Sequence, residues 1–130
     1  MTKQEIINYW IRSSDKDYRT MNHLFKAKDY AWSLFIGHLV MEKLLKAYYI
    51  KIIDENYPMI HNLLRLAEKS GLSLTDEQQT FFATMTSFNI NTRYDDYKKN
   101  FTKLCTKEYT EKWLNQIKEN RLWMKRLLLT

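Results

Sequence analysis

Three ionisable side chains recur at four-residue steps within Asp29 to Ile53, the most apolar stretch of the chain. They are His38, Glu42 and Lys46, and at about 100° per residue they fall within an arc of about 80° on a helix. We call this set the polar seam. In the structural interpretation, Glu42 and Lys46 form an ordinary i,i+4 ion pair. In the functional interpretation, the seam lines a cleft. Periodicity alone favours the structural interpretation, but ionisable groups are rarely buried unless paired, so the seam should face a partner, a cleft or water.

A second candidate is His61, which follows Pro58 at the expected start of a short helix. An imidazole near a helix N-terminus tends to stay neutral, because the positive end of the helix dipole disfavours its charge. His61 could therefore be a buried, hydrogen-bonded imidazole, a ligand-binding group or a catalytic group. Taken alone, the buried structural role is the commoner one.

A third candidate lies in the polar segment 89–97, which contains Arg93 and Tyr94. An arginine beside a tyrosine suits phosphate pairing combined with base stacking. Alternatively, Arg93 pairs with Asp95, Asp96 or Glu42 and only fixes the local chain conformation. The residue types do not separate these two interpretations.

Other signatures of enzyme chemistry are missing from the sequence. There is no glycine-rich phosphate loop, no His/Cys/carboxylate set with metal-ligand spacing and no repeated Glu-x-x-His pair. Cys105 is the only cysteine, so no internal disulfide is expected, and it should be a small buried apolar residue. The sequence therefore predicts no cofactor and no metal.

The composition predicts how these side chains are positioned. Hydrophobic residues make up 45% of the chain, which has only two glycines and one proline, and so few turn residues favour an all-helical fold. A chain of 130 residues suits one domain, residues 1–130. Charged residues interrupt the apolar stretch too often for a membrane span. Residues 1–8 lack a signal core, so we expect a cytoplasmic protein.

Apolar periodicity predicts five helices. Their expected bounds are Lys3 to Lys26, Asp29 to Ile53, Met59 to Lys69, a fourth helix from Ser73 or Thr75 with an apolar face ending at Phe88, and Lys107 to Leu128. Thr75 and Gln78 suggest a capping box, and Asn89 to Tyr97 is expected to be a turn. The four long helices should form an antiparallel bundle with the third as a short connector. In this arrangement the polar seam, His61 and Arg93 are expected to converge.

The positive charge is unevenly distributed. Residues 1–92 hold 11 basic and 10 acidic residues, whereas residues 93–130 hold 10 and 5. A basic C-terminal third suggests an anionic partner such as nucleic acid, or a solvated surface that aids solubility.

Several segments in order resemble the HEPN domain family. They are Trp10, Lys28 to Ala31, His38 to Ala47, Pro58 with His61 to Leu66, and Arg93 to Asp96, which is similar to an Arg-Tyr-Pro-Asp segment of that family. The resemblance covers about residues 5 to 128. It implies a bundle of four or five helices, usually dimeric, in a prokaryotic cytosolic protein. Many members are paired with a minimal nucleotidyltransferase as a toxin–antitoxin system, and others are linked to nucleotide or RNA binding.

The resemblance also suggests residue roles. Toxic members are metal-independent ribonucleases with an Arg-x4-6-His motif at a dimer cleft. Arg93 matches the arginine, but the window for the histidine holds only residues 97–100, Tyr-Lys-Lys-Asn. The positions matching family binding positions are Glu42, Lys46, His61, Arg93 and Tyr94.

Three functional hypotheses follow. The leading one is a homodimeric module that binds a nucleotide or RNA, or a nucleotidyltransferase partner, through these positions together with His38. The second is a ribonuclease in which Arg93 acts with His61 or His38 as general acid or base. The third is a purely structural or antitoxin-like partner bundle. The absent motif histidine favours binding over catalysis.

Overall fold

The chain folds into six α-helices and no strand, as a computed structural model of all 130 residues describes it. The helices are α1 (Lys3–Lys26), α2 (Tyr30–Ile52), α3 (Leu63–Lys69), α4 (Asp76–Arg93), α5 (Asp95–Leu104) and α6 (Lys107–Leu129). The expectation of an all-helical bundle is confirmed. None of the six helices combines the length and the apolar character that a membrane span requires.

Helix α2 is the central helix, and every other helix packs against it. Its buried residues point in all directions around the axis, as expected of a helix enclosed on most sides. The α1–α2 hairpin is joined by residues 27–29 and fixed by buried hydroxyl groups. Ser14 Oγ donates to the Val40 carbonyl at 2.8 Å, and Ser33 Oγ donates to the Met21 carbonyl at 2.9 Å.

The predicted ends of α1, α2 and α6 agree with the structure to within one residue. The expected capping box at the start of α4 is present, since the Thr75 side chain accepts from the Gln78 amide and the Gln78 side chain accepts from the Thr75 amide. Helix α6 begins after Thr106, whose hydroxyl accepts from the Tyr109 amide.

The prediction that α3 starts at Met59 is wrong. The helix begins at Leu63, after Asn62 caps it by accepting from the Arg65 amide. An Asn side chain that accepts from the amide three residues on is a strong helix-start signal. Pro58 in turn disfavours helix at the preceding residue. Residues 54–62 are therefore an irregular segment that reaches back over α2.

The prediction of a turn at Asn89 to Tyr97 is also wrong. Helix α4 continues to Arg93, and α5 follows almost immediately. Two polar residues, Asn89 and Thr92, occupy the buried face of α4, so they interrupt the apolar stripe from which the helix was predicted. Helix α5 buries only Phe101, which is too little hydrophobic periodicity to identify the helix from sequence.

Candidate functional site

The buried Glu42 carboxylate is the centre of a polar cluster. Its Oε1 lies 3.1 Å from His61 Nδ1 and 3.8 Å from His38 Nε2, and its Oε2 lies 3.4 Å from Lys46 Nζ. The Glu42 side chain is only 6% exposed. The structure thus brings together His38, Glu42, Lys46 and His61, which we call the Glu42 cluster.

His61 reaches Glu42 because the irregular segment 54–62 folds back onto α2. The next residues are anchored to α4, where the Leu63 amide donates to Thr86 Oγ1 at 2.9 Å. The His61 side chain remains 68% exposed, so it is not the fully buried imidazole that residue statistics favoured. The polar seam is therefore covered at Glu42 by a solvent-facing histidine.

Lys46 is held from both sides. Its ammonium lies 5.0 Å from the centre of the Trp10 ring and 5.1 Å from that of the Tyr57 ring. The two rings meet edge to face at 5.8 Å. These cation–π contacts, added to the Glu42 ion pair, attach the irregular segment to α1 and α2. Neither Trp10 nor Tyr57 is near Lys46 in the chain, so the sequence does not indicate them as its partners.

The two buried ionisable groups of the cluster have perturbed pKa values. Burial opposes the charge of Glu42, but the hydrogen bond from His61 and the positive charge of Lys46 outweigh it, so the pKa of Glu42 lies below its ordinary value. Burial lowers the pKa of His38 to about 4, against the opposing attraction of Glu42. Glu42 is therefore ionised and His38 neutral near pH 7.

Neither ring nitrogen of His38 has a well-aligned hydrogen-bond partner, although the nearby His61 backbone favours the charged form of the ring. It is fully buried and stacks against Phe35, with ring centres 6.1 Å apart. A buried imidazole without partners costs free energy. In this position His38 does not touch solvent, and a ligand on the surface could not contact it directly.

His61 has the geometry of an oriented imidazole. When neutral, it can donate its Nδ1 proton to Glu42, which leaves Nε2 as an acceptor on the exposed side of the ring. A carboxylate that fixes the tautomer of a histidine in this way is a common support for binding or proton transfer. The arrangement can accept a hydrogen bond from a ligand or, in principle, remove a proton.

Arg93 and Tyr94 stand apart from the Glu42 cluster. The single hydrogen bond of the Arg93 side chain goes to Asn89 Oδ1 at 3.4 Å, and Arg93 forms no ion pair. The proposed pairing with Asp95, Asp96 or Glu42 is therefore absent. Both side chains are exposed, with Tyr94 57% accessible.

Arg93 is nonetheless on the same side of α4 as the anchor of the His61 segment. Thr86 and Arg93 are seven residues apart, which places them within about 20° around the helix and about 10 Å along it. Just beyond, α5 adds Lys98, whose ammonium lies 5.7 Å from the centre of the Trp32 ring. Helix α5, which the sequence did not predict, thus adds lysines beyond the acidic Asp95 and Asp96 of its first turn.

No group of three or more His, Cys, Asp or Glu side chains is arranged to hold a metal ion. The fold and the cluster together define a small helical bundle with an irregular segment between its second and third helices. A family model for the HEPN domain matches residues 7–127. The chain belongs to the HEPN family. Comparisons with curated proteins and with solved structures find no significant match.

Proposed function

We propose that this protein is a homodimeric HEPN module that binds a nucleotide or RNA and acts beside a nucleotidyltransferase partner in a toxin–antitoxin-type pair. Membership of the HEPN family supports the nucleotide-related role. The observation that carries the proposal is the exposed His61 imidazole, oriented by the buried Glu42 carboxylate 3.1 Å away. An exposed, oriented donor–acceptor group suits ligand recognition.

The proposed ligand spans His61 and Arg93. The His61 segment is tied to α4 at Thr86, and Arg93 lies about 10 Å farther along the same side of that helix. A nucleotide or a short stretch of RNA is long enough to bridge this distance. The guanidinium of Arg93 would pair with a phosphate, and the exposed Tyr94 ring would stack on a base.

The other cluster residues have supporting roles in this proposal. Glu42 orients His61, and His38 fills the space beneath. Because Lys46 is already engaged by Glu42 and two aromatic rings, we assign it to holding the cleft wall and adding positive potential. Exposed lysines on α5, at positions 98, 99 and 103, would extend the contact along a phosphate backbone.

Fluorescence anisotropy with labelled single-stranded RNA of about ten nucleotides, and with a fluorescent ATP analogue, tests this proposal. Binding should weaken steeply between about 50 and 300 mM salt, because phosphate contacts release counterions. Arg93→Ala should weaken binding about tenfold, the loss of one charge-assisted contact. Arg19→Ala is the matched control, since Arg19 is exposed on α1 and forms no ion pair or hydrogen bond. Equal loss in both variants, or no binding at low salt, would remove the nucleic-acid claim.

The homodimer is proposed from the family and from exposed apolar groups near Arg93. Ile90, Tyr97 and Leu104 are each between 45% and 55% accessible, Ile90 near the end of α4 and the other two on α5. Sedimentation equilibrium should give a dimer that Ile90→Asp converts to a monomer. Co-purification with a nucleotidyltransferase encoded by the neighbouring gene would test the partner, and such a complex without ligand binding would favour a purely structural partner.

The Glu42–His61 geometry also favours a second candidate, a metal-independent ribonuclease. His61 would act as the general base through Nε2, and Arg93 would stabilise the charge on the phosphate. RNA cleavage in EDTA that is lost in both His61→Ala and Arg93→Ala would support this activity. Cleavage that survives in both variants would come from a contaminant.

A further inference from the structure

Helix α1 carries a row of basic side chains along its outer surface. The members recur at steps of three or four residues, and all are exposed: Arg12, Lys16, Arg19, His23 and Lys26. At about 100° per residue they fall within an arc of about 80°, and the row is about 21 Å long. We call this set the basic row of α1. It shares no residue with the Glu42 cluster or with the proposed nucleotide-binding face.

No carboxylate of the chain neutralises this row, because none of its members forms an ion pair. The two acids in the same part of α1 are engaged by other helices. Asp15 pairs with Arg121 and Lys125 of α6 at 3.0 and 2.9 Å, and Asp17 pairs with Lys43 of α2 at 2.6 Å. Exposed helices commonly place an acid four residues from a base. The basic row has no such acid within its arc, so the carboxylates that would pair with it must come from outside the chain.

The surroundings of the row do not suit a membrane surface. A helix that binds in the plane of a membrane needs an exposed apolar side as well as a basic one. The apolar side of α1 packs against α2, and its residues Ile7 and Met21 are buried in the core. Tyr9 is the only large apolar residue of α1 that is exposed. The row therefore offers charge to a partner and almost no apolar surface.

The row also differs from a site for single-stranded nucleic acid. Such sites combine cations in a groove with aromatic rings that stack on successive bases. The basic row lies on the outer surface of a helix, and no aromatic residue belongs to it. The nearest exposed ring is that of Tyr9, which precedes the row. The ring of Tyr18 is already covered by the Arg121 guanidinium, 4.0 Å from its centre.

The spacing of the row favours an acidic partner that is itself a helix. Its steps average about 3.5 residues, which is the period of side chains along the seam between two paired helices. An acidic helix with the same spacing would keep its carboxylates in step with every member of the row. An extended chain places the side chains of one side about 6.7 Å apart, whereas the steps of the row are about 5.3 Å. An extended acidic segment would therefore be about 6 Å out of step at the far end.

We propose that the basic row of α1 docks an acidic α-helix of a partner protein, in which glutamate or aspartate recurs every three or four residues along one side. Each exposed ion pair contributes little by itself, so the complex forms through several pairs at once. The association is fast, and it weakens as salt screens the charges. Because the row lies on α1, this docking leaves Arg93 and helix α5 free.

The binding test uses a fluorescein-labelled, end-blocked, alanine-rich peptide of about 21 residues, with glutamates at the spacing of the row. A second peptide has the same composition with its glutamates spread around the helix, and circular dichroism matches the helicity of the two. In anisotropy measurements at low salt the first peptide should bind about fivefold more tightly or better. Arg19→Glu should weaken its binding about tenfold or more. Lys69→Glu makes the same charge change at an exposed position of α3, and it should change the binding by about twofold or less.

A ¹H–¹⁵N NMR titration locates the peptide independently of its affinity. The patterned peptide should shift amides between Arg12 and Lys26 and leave those of α4 and α5 unchanged. Two further probes separate the other anionic partners: phosphatidylserine vesicles that sediment the protein, with binding lost in Arg19→Glu, would identify a membrane, and single-stranded RNA that displaces the peptide from α1 would identify nucleic acid. Either of these results, equal binding of the two peptides, equal loss in the two glutamate variants, or shifts confined to other helices would overturn the proposal.

Discussion

Replacing the buried histidine of the polar seam should not destabilise the protein at neutral pH. Both nitrogens of His38 are buried without a well-aligned hydrogen-bond partner, and the contact with the His61 backbone recovers only part of the about 1–3 kcal/mol that an unsatisfied buried polar group costs. Leucine at this position removes that cost and keeps an apolar side chain against Phe35. We therefore expect His38→Leu to have a free energy of unfolding equal to or above that of the wild type at pH 7.

The same variant should lose much of the protein's acid sensitivity. Burial lowers the pKa of His38 from 6.5 to about 4, so the unfolded state binds a proton more readily than the folded state. The stability linked to this group is fully present above pH 6.5 and is lost as pH falls toward 4. Its size is about 3 kcal/mol over that window, and the leucine variant lacks it.

Urea unfolding followed by far-ultraviolet circular dichroism at several pH values between 7 and 4.5 measures both effects. Glu42, whose pKa is lowered from 4.5, adds its own loss only at the acidic end of this range and does so in both proteins. His23→Gln serves as a control, because His23 is an exposed histidine on α1. A loss of about 2 kcal/mol or more at pH 7 in His38→Leu, or an unchanged pH slope, would refute the reasoning.

Three further substitutions test the packing and the cluster. Gly37→Ala should destabilise by up to about 2 kcal/mol, because a Cβ there would lie 2.5 Å from Cδ1 of the buried Ile117 and 3.1 Å from Met21 Sδ, and this crowding outweighs the gain of about 1 kcal/mol in helix propensity. Unchanged or raised thermal stability would contradict this close approach. Glu42→Gln should lower the free energy of unfolding by about 2 kcal/mol, because it leaves the Lys46 ammonium without its carboxylate. Amide hydrogen exchange should also rise in residues 54–62. Unaltered protection there would mean that Glu42 does not hold the segment. Lys28→Gly should stabilise by about 1 kcal/mol, since Lys28 has a φ of 63°; chemical denaturation that shows a loss would count against backbone strain at this turn.

The long helices could be predicted from sequence because each has a strong local signal. The apolar stretch around α2, the stripes of α1 and α6 and the Thr75 capping box depend on spacing alone. Helix α5 has no comparable signal, since Phe101 is its only buried residue. The end of α4 was missed because Asn89 and Thr92 are polar yet buried.

The candidate site could be predicted only in part. The spacing of His38, Glu42 and Lys46 placed them on one side of a helix, and the structure joins them to His61. Which residues lie over the seam depends on the path of the irregular segment 54–62, and no local sequence pattern specifies that path.

Contacts between residues far apart in the sequence could not be predicted for the same reason. The enclosure of Lys46 by Trp10 and Tyr57 joins three parts of the fold. Arg93 was expected in the same recess, but it makes no contact with the Glu42 cluster. Its position at the end of a longer helix α4, and not in a flexible turn, accounts for that separation.

The proposed binding face is tested most directly by a ¹H–¹⁵N NMR titration of the intact protein with ATP and, separately, with single-stranded RNA of about ten nucleotides at low salt. We expect saturable shifts at His61, Arg93 and Tyr94, together with the exposed lysines of α5, and little change in the amides of α1 around Arg19. Shifts that fall on other surfaces, or a spectrum that neither ligand changes, would contradict the assignment of nucleotide or RNA binding to this face.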